Sequence, residues 1–158
     1  MNYIELAEAF RPEEIRILLI GEAPPPNGTS YFYLPRVLPD AVSIRDDRSL
    51  PTTIFYHYFK ERPTTRARYR ELLLQLKAMG VFLVDIYDEP IQVRNHPENQ
   101  AVILNAIPTL KERLGLRNII VNEAQMIFLV PRGGYNRTIR ECFPAARIVT
   151  WIDFRLED

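Results

Sequence analysis

Two short apolar runs constrain this chain more than any other feature. Ile15-Arg16-Ile17-Leu18-Leu19-Ile20 is nearly continuous, rich in β-branched residues, and stops at Gly21. Val81-Phe82-Leu83-Val84-Asp85-Ile86 has the same character. A strand with one wet face alternates polar and apolar side chains. These runs do not alternate, so both faces of each must be covered, which is the position of a central strand in a parallel sheet.

The segments between and after these runs supply the covering helices. Asn2–Phe10 has a helical apolar pattern, ended by Arg11-Pro12. Ser49 is placed to cap a helix through Thr52–Lys60. Thr64 or Thr65 is placed to cap the next, with Tyr69, Leu72, Leu73, Leu76 and Met79 on one face and Gly80 as its stop. Pro97–Leu114 reads as a helix ending at Gly115, and Asn118–Val121 as a third strand. Ala124–Val130 and Tyr135–Phe143 read as helices on either side of Pro131-Arg132-Gly133-Gly134, and Arg147–Ile152 as a final strand. This order predicts a single α/β domain over residues 1–158, a three-layer sandwich around a mainly parallel four-stranded sheet. Ligands of such folds bind beyond the carboxyl ends of the strands. Residues 21–33, 85–89 and 122–124 are therefore expected at the site.

Composition removes several classes. The chain has 158 residues, the size of one domain, and one cysteine, Cys142. Intrachain disulfides and multi-thiolate metal or iron–sulphur centres are excluded. No resident cofactor is expected. A reducing compartment follows from the cysteine usage, so a cytoplasmic location is expected. No apolar run approaches the roughly 18 residues that a membrane helix needs. Lys plus Arg and Asp plus Glu number 20 each. Net charge therefore does not argue for nucleic acid, and local patches must carry any such case. One basic run, Arg62–Arg70 around Tyr69, reads either as a phosphate-contacting helix or as the wet face of an amphipathic one.

The chemistry-bearing residues cluster after the strands. Residues 21–51 hold Pro24, Pro25, Pro26, Pro35, Pro39 and Pro51, a long irregular stretch with a functional or lid-like character. Gly21 allows a sharp strand exit, Glu22 places a carboxylate beside backbone amides, and the prolines stiffen the loop. Tyr31-Phe32-Tyr33 either offers a stacking face for a base or packs the loop onto the core. Asp85, Asp88 and Glu89 either bind a divalent cation or simply open a loop stiffened by Pro90; no ligand-loop motif accompanies them, and no metal is expected. Arg132 with Gly133 and Gly134 either cradles a phosphate or makes an ordinary turn.

The strand followed by Gly21-Glu22-Ala23-Pro24 resembles the first motif of the uracil-DNA glycosylase superfamily, especially the branch reading Gly-Glu-Ala-Pro-Gly. The resemblance implies a parallel four-stranded sheet flanked by helices and a nucleobase-recognising, base-excising hydrolase of DNA repair. It implies that Phe32, with Tyr31 and Tyr33 beside it, stacks on an extruded base. It implies that Glu22 orients water or stabilises a cationic sugar, and that Gly21, Ala23, Pro24 and Asp85 contact the ligand; Asn122, from its place after an expected strand, and Arg132 with Gly133, as a phosphate hold, are further ligand candidates. DNA or a small nucleotide is the implied partner. The chain departs from the family in several places. Pro25 replaces the closing Gly, Asp85 stands near the family's base-reading Asn, Ala23 cannot activate water, and no His-Pro-Ser motif follows a late strand. An ionised Asp85 accepts from a base N–H but cannot donate to uracil O4, which points to an amino-bearing base. The alternative is a non-catalytic member of the same fold that binds a nucleotide or a protein.

Overall fold

The computed structural model describes residues 2–39, 43–91, 97–130 and 134–157. The two apolar runs form the strands expected of them, β1 (Ile17–Gly21) and β2 (Val81–Asp85). They pair in parallel with Ile17 opposite Val81 and Gly21 opposite Asp85. Two further parallel strands, β3 (Met126–Leu129) and β4 (Arg147–Val149), complete a sheet of order β2-β1-β3-β4. β1 is therefore paired on both sides, and Leu18, Leu19 and Ile20 are fully buried.

Helices cover both faces, giving the three-layer α/β sandwich. α1 (Tyr3–Glu8) precedes the sheet. α2 (Leu50–Phe59) and α3 (Arg66–Met79) connect β1 to β2. α4 (Pro97–Ala106) and α5 (Leu110–Leu116) connect β2 to β3, and α6 (Asn136–Cys142) connects β3 to β4. The first crossover steps one way along the sheet and the others step back, so right-handed connections put α2–α3 and α4–α6 on opposite faces. The final helix, α7 (Trp151–Leu156), packs on α2.

Local chemistry explains the helix ends. Ser49 Oγ accepts from the Thr52 amide at 3.4 Å, and Thr65 Oγ1 accepts from the Arg68 amide at 3.1 Å. Gly80 closes α3 at φ +81°, where an added Cβ would lie 2.9 Å from the Glu14 carbonyl oxygen. Its own carbonyl accepts from the amides of Arg16 and Ile17, which sets α3 against the start of β1. The single helix expected over 97–114 is two: Pro108 lacks an amide hydrogen and lies in a 3-10 turn, Ile107–Thr109, between α4 and α5.

Two elements differ from expectation in kind. Residues 118–121 are not a strand. Asn118 takes a left-handed φ of +56°, and Ile120 is 90% exposed. The third strand is instead Met126–Leu129, in the stretch that reads as a helix from sequence. A four-residue apolar run has no visible period, so burial between β1 and β4 decides its conformation. The last strand is also shorter than expected. It ends at Val149, and Thr150 Oγ1 accepts from the Asp153 amide at 3.2 Å to start α7.

The free side of β2 is closed by a side chain. The Leu83 amide donates to the Tyr33 hydroxyl at 2.7 Å, and Tyr33 stacks on Phe10 with ring centroids 5.7 Å apart. Removing that hydroxyl strands a buried amide, which costs about 1–3 kcal/mol. Tyr33→Phe is expected to lower unfolding free energy by that amount in urea titrations, with an unchanged denaturant slope. A variant as stable as the parent would contradict this role.

Candidate functional site

In a sheet of order β2-β1-β3-β4, the connections from β1 and β3 step off in opposite directions, and a crevice is expected beyond the carboxyl ends of these strands. A cleft of about 820 Å³ lies at this edge. One wall is the exit of β1 and β2, with Glu22, Ala23, Pro24 and Asp85. The other comes from the start of α2 and from α7, with Ser49, Leu50, Thr150, Trp151 and Arg155.

The acidic wall is built by backbone pairing. Beyond β1 and β2 the ladder continues: the Ile86 amide donates to the Gly21 carbonyl at 2.9 Å and the Tyr87 amide to the Glu22 carbonyl at 3.0 Å. Gly21 lies opposite Asp85, and a Cβ at Gly21 would sit 3.0 Å from Asp85 Oδ1. The missing side chain lets that carboxylate lie against the strand exit. Glu22 is 7% exposed, and the Tyr135 hydroxyl donates to its Oε2 at 2.9 Å. Tyr135 is a buried residue just before α6, so Glu22 is oriented from the third layer of the fold.

The aromatic trio resolves towards packing. Tyr31, Phe32 and Tyr33 are all buried, Phe32 at 3% exposure. Tyr31 meets Tyr3 edge-on at 4.8 Å, and Phe32 contacts Phe55 at 5.5 Å between centroids. The Tyr69 hydroxyl donates to the Phe32 carbonyl at 2.5 Å. Burial pushes the Tyr31 and Tyr33 hydroxyls well above the usual phenol range. Edges of Tyr31 and Phe32 still line the cleft. Trp151 is the more accessible ring: it is half-buried, lines the cleft, and its indole N–H donates to the Leu129 carbonyl at 3.1 Å. Sequence reasoning missed Trp151 because it lay inside an expected strand.

Of the remaining site candidates, the structure brings Gly21, Glu22, Ala23, Pro24, Tyr31, Phe32 and Asp85 to one edge. Asn122 is a correction. It precedes β3, so it stands at the amino edge of the sheet, where its amide donates to Gln125 Oε1 at 2.8 Å. Gln125 in turn donates to the Arg16 carbonyl before β1. The misplaced third strand is the cause. Arg132 and Gly133 lie outside the described residues. Asp88 accepts from Arg113 at 3.3 Å, and among the described residues no cluster of three His, Cys, Asp or Glu side chains is arranged to hold a metal ion. The basic run leading into α3 is largely ion-paired within the fold: Arg68 pairs with Glu61 and Glu71, and Arg62, ahead of the helix, with Asp47. No helix among the described residues is long and apolar enough to cross a membrane.

Comparison with family models, curated proteins and solved structures finds no match.

Asp47 is buried just before α2, next to the cleft residues Arg48 and Ser49. Its carboxylate accepts from Thr52 Oγ1 at 2.6 Å, Arg62 Nε at 2.7 Å and the Ser49 amide at 2.9 Å. Arg62 also donates to the Pro39 carbonyl. Burial alone pushes the Asp47 carboxyl up, but these hydrogen bonds outweigh it and hold the group well below the usual range. A depressed carboxyl stabilises the fold above its unfolded value, near 4, and loses that contribution as pH falls further. Asp47→Asn is expected to cost about 1–3 kcal/mol at pH 7. The gap between parent and variant in urea midpoints should narrow below about pH 4. A gap independent of pH would contradict this assignment.

Proposed function

We propose that this chain is a uracil-DNA glycosylase-like protein whose cleft recognises a nucleobase. The observation that carries the reading is the convergence of Glu22 and Asp85 on one cleft, beyond the carboxyl ends of adjacent parallel strands. The all-parallel four-stranded sheet and the Gly21-Glu22-Ala23-Pro24 strand exit support the family resemblance. An ionised Asp85 accepts from N–H groups but cannot donate to a carbonyl such as uracil O4, so a base with an exocyclic amino group at that edge is preferred. Trp151 supplies apolar contact for its ring, with the buried Phe32 behind the cleft lining. Glu22, oriented by Tyr135, is the carboxylate that would stabilise positive charge developing on a sugar as a glycosidic bond breaks.

One observation favours a second reading, binding without turnover. The segment after β4 reads Thr150-Trp151-Ile152-Asp153 and contains no His. The electrophilic group of the family's second motif therefore has no counterpart at that strand end.

The two readings separate in one assay. Oligonucleotides and free nucleotides carrying uracil, cytosine, adenine or hypoxanthine are incubated with the protein, and base release and binding are measured together. Excision predicts release of an amino-bearing base and a loss of about a hundredfold or more in Glu22→Gln, with binding retained. Asp85→Asn should shift preference towards uracil, because an amide can donate to O4. Base-selective binding without release would leave the second reading. Neither binding nor release would contradict both.

A further inference from the structure

The cleft is divided by charge. Glu22 and Asp85 line the strand-exit wall, while Arg36, Arg48 and Arg155 are the basic residues among the rest of the lining. Arginine elsewhere in the fold is commonly ion-paired, as Arg62 is to Asp47, Arg113 to Asp88 and Arg117 to Glu8. Among the described residues, none of the three cleft arginines pairs with a carboxylate. Arg36 donates to the Tyr31 carbonyl at 2.7 Å and to the Tyr69 hydroxyl at 3.3 Å. Arg155 donates to the Ile44 carbonyl at 2.7 Å and to Thr53 Oγ1 at 2.9 Å. These partners fix the guanidinium planes without neutralising them.

Arg155 is the telling member. It is 5% exposed, and its Nε has no hydrogen-bond partner among the described residues. Two of its five N–H groups are used. The carboxylate that acts on it electrostatically, Asp47, is already engaged by Arg62, Thr52 and Ser49. Arg48 lies close enough to repel it. A buried guanidinium with no carboxylate in direct contact is costly, and an incoming anion offsets that cost. The amino end of α2, at Ser49 and Leu50, faces the same space and adds its own positive potential.

We propose that the Arg36–Arg48–Arg155 wall is a phosphate subsite, so the ligand is a nucleotide and not a nucleoside or free base. This assignment rests on base recognition at the opposite wall. A cleft of about 820 Å³ accommodates one nucleotide, with N–H donors towards Asp85 and the phosphate towards arginine. Guanidinium suits phosphate because its planar fork donates two parallel hydrogen bonds.

The test is calorimetric titration at fixed ionic strength with inorganic phosphate, nucleosides, nucleoside 5′-monophosphates and a short single-stranded oligonucleotide. Monophosphates should bind about tenfold or more tighter than the matching nucleosides. Arg48→Ala, a change at an exposed side chain, should erase that increment and leave nucleoside affinity unchanged. Arg155→Lys, which keeps charge but loses the fork, should also reduce it. Binding by the oligonucleotide, sensitive to Arg48→Ala and without monophosphate binding, upholds the subsite and assigns the phosphate to a strand. Equal affinity for nucleoside and monophosphate, or an increment that survives Arg48→Ala, overturns the subsite while base recognition stands. Phosphate binding lost in Arg48→Ala with no preference among bases upholds the subsite and overturns base recognition. Absence of binding by phosphate, monophosphate and oligonucleotide overturns the subsite.

Discussion

The pairing of β1 with β2 continues past the formal ends of both strands, and the cleft depends on it. Register places Gly21 opposite Asp85, and the next two amides of the β2 exit, Ile86 and Tyr87, bind the carbonyls of Gly21 and Glu22. Backbone hydrogen bonds thus fix where each of the two carboxylates leaves the sheet. Only then does the chain turn into prolines, which hold the exit stiff. Tyr135 reaches Glu22 from another layer, so the acidic wall is tied to the sheet and to the start of α6.

The loop after β1 remains in place because its aromatic rings are buried. Tyr33 satisfies the open edge of β2, Phe32 packs against Phe55, and Tyr69 binds the backbone at Phe32. This anchoring leaves little ring surface for a ligand. The accessible ring comes from Trp151, at the first turn of a helix that packs on α2. Anchor and contact surface are thereby separate side chains. The basic wall is assembled differently: Asp47 organises the chain before α2, and Arg155 comes from the last helix to bond the Ile44 carbonyl before α2 and Thr53 within it. One wall is held by strand register and the other by side-chain hydrogen bonds to loop carbonyls and hydroxyls.

This division decides how much of the molecule was legible in the sequence. β1, β2 and α3 announced themselves, because a fully buried strand leaves a continuous apolar run and an amphipathic helix leaves a 3.6-residue period. Gly80 and the Ser and Thr caps marked their helix ends through side-chain chemistry that acts locally. β3 was not legible. Met126-Ile127-Phe128-Leu129 is too short to show a period, and the neighbouring Ile119-Ile120-Val121 has stronger β-branched character despite its exposed Ile120. That exchange moved Asn122 from one edge of the sheet to the other. Glu22 and Asp85 were found because each follows a legible strand. Trp151, Tyr135 and the three arginines were not, since their roles arise from long-range packing that leaves no local pattern.

The proposed nucleotide site is the carboxyl edge of the sheet. Backbone amide NMR shifts during titration with nucleoside monophosphates test it most directly. The account predicts saturable shifts at Gly21–Ala23, Asp85–Tyr87, Leu50 and Thr150–Ile152, with Asn122 and Gln125 at the opposite edge unmoved. Shifts centred on Asn122 and Gln125, or no saturable shifts with any base, would contradict it.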